Sequence, residues 1–303
     1  MGLVCFISVP RLDDDVIDTC SLGCGSLLLS ASADVRASDD VIALEGMWLD
    51  GPFSDLIISG NIISDTAADG INLHAAITNV TVHDNHIRNT GDDGIAEWSQ
   101  KACPACSRAN AKNIIAFNTV ECPVLANCIA LYGGMDHTVT DNILADTIIS
   151  GGALHVGNRF GSYPLAGASL LARNSIYRGG CLDPNWKFGV GALWFYALDE
   201  AQDGAVAVED TEIFDSPYEA VHFIGKPVSN VTFVNLSSTT TGTFFLQIQA
   251  QVVSASFEDA TAVGDGYAGI YNCNAPSRAN LTLIGDGNVG WANNSTCGFP
   301  PHF

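Results

Sequence analysis

The sequence predicts an all-β solenoid of the parallel β-helix type, on three observations. The first is an internal repeat: Asn61 is followed eight positions later by Asp69 and then Gly70-Ile71, and Asn85 eight positions later by Asp93 and then Gly94-Ile95, so the copies lie 24 residues apart. A period of that length, with asparagine at a turn and a short apolar strand after a glycine, is the signature of stacked single-rung units. The second is the continuation of that rhythm, because the turn asparagines Asn61, Asn85, Asn118, Asn142 and Asn174 follow one another at intervals of 24, 33, 24 and 32 residues. The third is composition: 47% of residues are hydrophobic and only 15% charged, which suits a long stack of buried strands.

A solenoid grows along its axis without a second core, so one domain is expected over residues 1–303. Residues 1–45 are irregular, with an acidic cluster at Asp13–Asp15 and close cysteines at Cys20 and Cys24; they read as an N-terminal cap with one or two poorly marked rungs, covering a sheet edge that would otherwise pair with other chains. Regular rungs are expected over 46–290. Their strands, such as Val80-x-Val82, Ile114-Ile115 and Ile143-Leu144, are short, β-branched and bounded by Gly, Asn and Asp. The longer intervals read as a basic rung plus an insertion, one at Gln100–Lys112 and one at Asn158–Gly167. Insertions in solenoids gather on one face, often the binding face. Residues 291–303, with Cys297, read as a closing cap, and no long amphipathic helix is expected.

The 33 acidic residues against 12 basic ones leave a net charge of −21. Such a surface repels nucleic acid, anionic membranes and polyuronates and favours a neutral partner. No apolar run reaches the length of a membrane-spanning helix, and a monomer is expected. Among the ten cysteines, Cys103-x-x-Cys106 fits half of a zinc site, but no second such pair completes it, and no metal centre is expected. Six N-x-S/T sequons, at Asn79, Asn230, Asn235, Asn280, Asn293 and Asn294, join the cysteines in pointing to an oxidising, extracellular setting. The segment Gly2–Pro10 nevertheless lacks the basic leader and cleavage site of a signal peptide.

Stacking carries the chemistry. Neighbouring parallel strands lie about 4.7–4.9 Å apart, so Asp69 and Asp93 fall one above the other, and Asp92 makes a trio. Crowded carboxylates call for a cation, a shared proton or a use for the strain. Hydrolysis of a glycosidic bond uses one carboxyl to protonate the leaving oxygen and another to activate water or attack the sugar. Two plainer readings compete: Asp before Gly is common in turns, and acidic turns bind calcium. Aligning the rungs on their asparagines, with a one-residue slip after Asn118, puts Glu97, Leu131 and His155 in one column and Trp98 and Tyr132 one position on. Trp98, Tyr132 and Trp194 are candidates for stacking on sugar rings, although core packing uses the same residues. His74, Glu97 and His155 would hydrogen-bond sugar hydroxyls if they point outward.

Four segments, MWLDGP at Met47–Pro52, ADGINLH at Ala68–His74, ITNVTVHDN at Ile77–Asn85 and NTGDDGIAEWS at Asn89–Ser99, together resemble glycoside hydrolase family 87, the α-1,3-glucanases and mycodextranases. The resemblance implies a right-handed, pectate-lyase-like single-stranded parallel β-helix that cleaves α-1,3-linked glucan with inversion. It implies no organic cofactor and is compatible with a structural calcium. It also implies that Asp69, Asp92 and Asp93 are the functional aspartates, Asp69 as general acid and Asp92 with Asp93 positioning and deprotonating water. Asn72, within ADGINLH, joins the candidate substrate-binding residues. Inversion uses carboxyls about 6.5–9.5 Å apart, wider than a one-rung stack, so either the side chains splay or Asp92 is the better base. Two alternatives stand beside this reading: another β-helix polysaccharide enzyme of polygalacturonase or lyase type, and a non-catalytic glycan-binding solenoid. The former wants Lys or Arg beside its acids, and between Gly46 and Asp93 only Arg88 is of that kind.

Overall fold

A turn buried between rungs must find partners for its backbone groups, and asparagine supplies them in a continuous ladder. The backbone N–H and the Nδ2 of Asn61 both donate to Oδ1 of Asn85, at 3.0 and 2.7 Å. Asn85 donates in the same way to Asn118, Asn118 to Asn142, and Asn142 to Asn174. All five are buried. The ladder absorbs the unequal spacing, because the extra residues leave the chain elsewhere on the rung. In the next positions of this column Thr211, Leu236 and Ala260 replace asparagine, since Ser175 pairs with Glu212, Glu212 with Ser237 and Ser237 with Thr261.

The computed structural model describes residues 34–36, 46–102, 108–273, 279–292 and 295–297. Its strands form three long parallel sheets of nine, ten and nine strands. A typical rung gives one strand to each, as with Ile71–His74, Thr81–His83 and His86–Arg88. The chain winds as a right-handed parallel β-helix, and no helix occurs among the described residues. The insertion at Gln100–Lys112 leaves the register intact, since Ile95 pairs with Ile71 on one side and Ile129 on the other.

Alternation along each strand sends one side chain inward and the next outward. In the ten-stranded sheet Ile71, Ile95, Ile129, Leu154, Leu193, Val221 and Leu246 stack inside, all fully buried. Burying side chains of this size contributes about 1.5–3 kcal/mol each. Towards the C-terminal end the filling turns aromatic: Phe195 stacks on Phe223 at 4.9 Å, Phe233 on Phe257 at 4.5 Å, and Trp291 closes over Phe245 at 4.6 Å.

Several expectations are refined. Asp34–Arg36, within the segment read as a cap, pairs with Ile62–Ser64. At the other end Ser295–Thr296 still pairs with Ile270–Tyr271, and Cys273 is disulfide-bonded to Cys297. Cys122, Cys128 and Cys181 are free thiols. An antiparallel hairpin of Cys181–Asp183 and Phe188–Val190 had no counterpart in the repeat. Asp13–Asp15, Cys20, Cys24, Cys103, Cys106, Asn293 and Asn294 lie outside the described residues.

Asn118→Ala leaves the backbone N–H of Asn85 without an acceptor, while Asn85 Nδ2 keeps the carbonyls of Ile58 and His83, and such a buried orphan costs about 1–3 kcal/mol. The variant should unfold at clearly lower temperature and denaturant concentration than the wild type. Ser54→Ala, which removes an exposed hydrogen bond to Asp55, should change little. Equal melting of the two variants in parallel thermal scans would contradict a load on the ladder.

Candidate active site

The DGI step of the repeat sits where each rung enters the ten-stranded sheet. There the backbone of one rung must pass close to the next: a Cβ on Gly70 would lie 2.5 Å from the carbonyl oxygen of Gly94. Glycine therefore permits the approach that stacks Asp69 under Asp93, and the Asp93 backbone N–H donates to Asp69 Oδ1 at 2.9 Å. The other oxygen of Asp69 accepts Asn72 Nδ2 at 2.6 Å. Asn127 occupies the same column one rung on, because Ile95 pairs with Ile129. Its backbone N–H and Nδ2 both donate to Asp93 Oδ1, at 2.8 and 2.7 Å, while the Tyr132 hydroxyl donates to Asp93 Oδ2 at 2.8 Å.

The electrostatics follow from crowding. Burial, then the charges of Asp69 and Asp92, push Asp93 well above the usual carboxylate range, against the hydrogen bonds from Asn127 and Tyr132. Burial also raises Asp92, outweighing the Asp93 backbone N–H and the Arg159 guanidinium, which pull it down. Tyr132 is raised well above its ordinary value, first by burial and then by the charge of Asp93, so its phenol stays a donor. Asp69, Asp92 and Asp93 each present an oxygen within 4.8 Å of the others, a spacing that could hold one cation. N–H and O–H donors already engage both oxygens of Asp69 and of Asp93.

The trio floors an open groove of about 580 Å³. Trp48 and Trp98 stand on one side, edge to face at 6.2 Å. Arg159 and Phe160, from the expected insertion at Asn158–Gly167, stand on another, and the Phe160 carbonyl accepts the Trp98 indole N–H at 3.2 Å. The Arg159 guanidinium lies 4.5 Å from the Phe160 ring and 4.7 Å from that of Tyr196. The hairpin brings Asn185 and Trp186, whose backbone N–H groups donate to Asp183 Oδ1 at 2.8 and 2.9 Å.

Among the residues named from sequence, Asp69, Asp92, Asp93, Asn72, Trp98 and Tyr132 meet in this groove. Four do not line it. Glu97 faces inward, between Leu73 and Leu131 of the adjoining rungs, and is fully buried. Its carboxyl accepts Nδ2 of Asn110 and of Asn113, at 2.5 and 3.0 Å, and so pins the end of the Gln100–Lys112 insertion to the core. The expected column was also displaced: Leu131 pairs with Val156, and His155 pairs with Ala130. His155 does point outward, but it is fully buried between the rings of Tyr132 and Trp194, at 5.2 and 4.2 Å. Trp194 is likewise fully buried. His74 is wedged between Trp48 and Trp98, with its ring nitrogens on Asp50 and Gln100. Asn127, Trp48, Arg159 and Trp186 were missed as site residues. Asn127 was within reach, by carrying the Asp69–Asp93 column one rung further.

Residues 54–275 match the family model described as the alpha-1,3-glucanase catalytic domain D2. Among solved structures, the catalytic unit of a thermostable family 87 α-1,3-glucanase from Streptomyces thermodiastaticus strain HF3-3 superposes with a TM-score of 0.75 at 38% identity, covering 83% of this chain and 47% of its own. The catalytic domain of Agl-KA superposes at 0.70 with 23% identity, over 80% of this chain and 45% of that one. A family 87 α-1,3-glucanase catalytic domain in complex with nigerose superposes at 0.59 with 17% identity, over 86% and 47%. The last two likenesses concern the fold. The chain spans about half the length of these solved relatives. No curated protein sequence matches it.

Glu97 supplies a test of its inward placement. Burial raises its pKa from 4.5 to about 8, against the lowering hydrogen bonds of Asn110 and Asn113. The folded state therefore holds a proton that the unfolded state releases between these values. This group's contribution to stability is highest below 4.5, falls as pH rises towards about 8, and is flat beyond. Denaturation midpoints between pH 5 and 9 should decline more steeply for the wild type than for Glu97→Gln; parallel curves would place Glu97 in solvent.

Proposed function

The chain belongs to glycoside hydrolase family 87, the α-1,3-glucanase family, and from that membership we propose that it hydrolyses α-1,3-glucosidic bonds in a neutral α-glucan with inversion. The observation that carries the reading is the trio of carboxyls on the floor of an aromatic-walled groove. A relative in complex with nigerose supports a glucan substrate. Aromatic faces such as Trp48 and Trp98 suit the apolar faces of neutral sugar rings.

In this mechanism a proton passes to the glycosidic oxygen as its bond to the anomeric carbon breaks, while a water attacks that carbon and gives its own proton to a carboxylate. The family resemblance makes Asp69 the acid; the hydrogen bonds favour another division of labour. Asp69 receives an N–H on each oxygen, which favours its ionised form. Asp93 lies deeper, and although burial and the charges of Asp69 and Asp92 raise it, three donors hold its carboxylate, so once the proton sits on Asp92 it is the stronger base. We assign these two to the water. Asp92, the least buried of the three, delivers the shared proton.

One feature favours a second reading, a polygalacturonase-type activity: Arg159 in the groove can pair with a uronate. Against it, Asp69, Asp92, Asp93 and Asp183 line the same groove and would repel a carboxylated sugar. An extracellular location is proposed with the activity, supported by the Cys273–Cys297 disulfide and by the exposed sequon asparagines Asn79, Asn230, Asn235 and Asn280.

Reducing sugar should be released from insoluble α-1,3-glucan and not from polygalacturonate, and Asp69→Asn, Asp92→Asn and Asp93→Asn should each lower kcat by about 10²–10⁴-fold without loss of fold. Full activity in all three would sink the reading. Proton NMR of the first product should show the β-anomer. The closest carboxyl oxygens, within 4.8 Å, are nearer than the roughly 6.5–9.5 Å usual for inversion, so an initial α-anomer would reassign one aspartate as a nucleophile.

A further inference from the structure

A carboxamide has two unlike ends, and which end faces a catalytic carboxylate decides whether it stabilises or repels the charge. At Asn127 the choice is made elsewhere. Its Oδ1 accepts the indole N–H of Trp194 at 2.8 Å and the backbone N–H of Gly152 at 3.0 Å. Both partners can only donate. The carbonyl end must therefore face them, and Nδ2 is left to point at Asp93 Oδ1, at 2.7 Å.

The indole is built to reach that oxygen. Trp194 is fully buried, with His155 4.2 Å from its ring and Tyr196 stacked at 5.9 Å. It spans two rungs, since its strand Leu193–Ala197 pairs with Leu154–Asn158 and that strand with Ile129–Tyr132. Gly152 lies across its path: a Cβ there would fall 2.7 Å from the indole Cδ1, 3.0 Å from Nε1 and 2.3 Å from the Gly191 carbonyl oxygen. Only the bare backbone admits the ring while adding its own N–H to the same acceptor.

We propose that Trp194 is a positioning residue for Asp93, acting through Asn127, whose amide it holds with the donor end towards the carboxylate. The proposal rests on the glycosidase reading of Asp93. Without the indole N–H, the Gly152 N–H alone holds the Asn127 carbonyl, and the amide's donor end is fixed less firmly on Asp93. Asp93 is otherwise faced by the carboxyls of Asp69 and Asp92, the Tyr132 phenol and the Cys128 thiol, with Arg159 acting on Asp92 and Tyr132. His155 lies behind Tyr132. Trp194 carries no charge, so a pH effect of its substitution passes through Asn127.

The test is a double-mutant cycle of Trp194→Phe and Asn127→Ala on α-1,3-glucan. Trp194→Phe should lower kcat about tenfold with KM within about twofold, and move the acidic limb of the kcat profile up by about one pH unit, because a water-activating carboxylate that loses a donor is harder to ionise. In the Asn127→Ala background the same change should cost less than about twofold more. An equal cost in both backgrounds, or an unchanged kcat in the wild-type background, would overturn the proposal and leave Trp194 as packing. Carboxyl ¹³C NMR titration of aspartate-labelled protein reads the same point without turnover. An upward shift of the cluster in both single variants supports the relay even if no glucan is cleaved, in which case the glucanase reading alone fails; no shift in Trp194→Phe overturns the relay.

Discussion

The groove depends on one constraint, the hydrogen-bonded register between successive rungs. Two aspartates 24 residues apart become neighbours because each rung returns to the same turn, and the turn is fixed by asparagines that satisfy one another's backbone groups. The same register that crowds the carboxylates supplies the means of tolerating them. The backbone N–H of Asp93 rests on Asp69, and the next rung gives Asn127 to Asp93. Stacking thus creates both the repulsion and its compensation, and the residual imbalance, a proton held above the ordinary carboxylate range, is what acid–base chemistry uses.

The inside and outside of the ten-stranded sheet serve different ends. Inward positions carry an apolar column, aliphatic except where Phe195 stacks on Phe223. Outward positions carry the polar and aromatic groups that shape the groove, layered so that Trp48, His74 and Trp98 form one stack and Tyr132, His155 and Trp194 another. In each stack a histidine is a spacer between larger rings rather than an exposed polar group. Glu97 breaks the inward rule, and Asn110 of the following insertion together with Asn113 just after it pairs its carboxyl. Its place one step from the outward column made it resemble a groove residue.

Much of this was legible because a solenoid writes its geometry as a period. The asparagine column, the stacking of Asp69 with Asp93, and the pairing of Glu97 with Leu131 and of Trp98 with Tyr132 all follow from aligning repeats. The alignment failed at His155, where one residue of slip exchanges the two faces of a strand, and the true partner of Leu131 is Val156. It also faded after Asn174, where Thr211, Leu236 and Ala260 fill the ladder position with side chains that carry no turn signal. The outer wall was hidden for another reason. Arg159, Phe160 and Trp186 sit on an insertion and a hairpin, and nothing in a repeat says which way such segments fold back.

We propose that the three stacked carboxyls act on a glycosidic bond lying across them, with Asp92 at the leaving oxygen. A crystal structure of Asp92→Asn with a bound α-1,3-linked glucose oligosaccharide tests it most directly. The glycosidic oxygen should lie about 2.6–3.2 Å from the residue 92 side chain, with a water held between Asp69 and Asp93 on the far side of the anomeric carbon. A sugar seated outside the groove, or a scissile oxygen against Asp69 with Asp92 turned away, would contradict it.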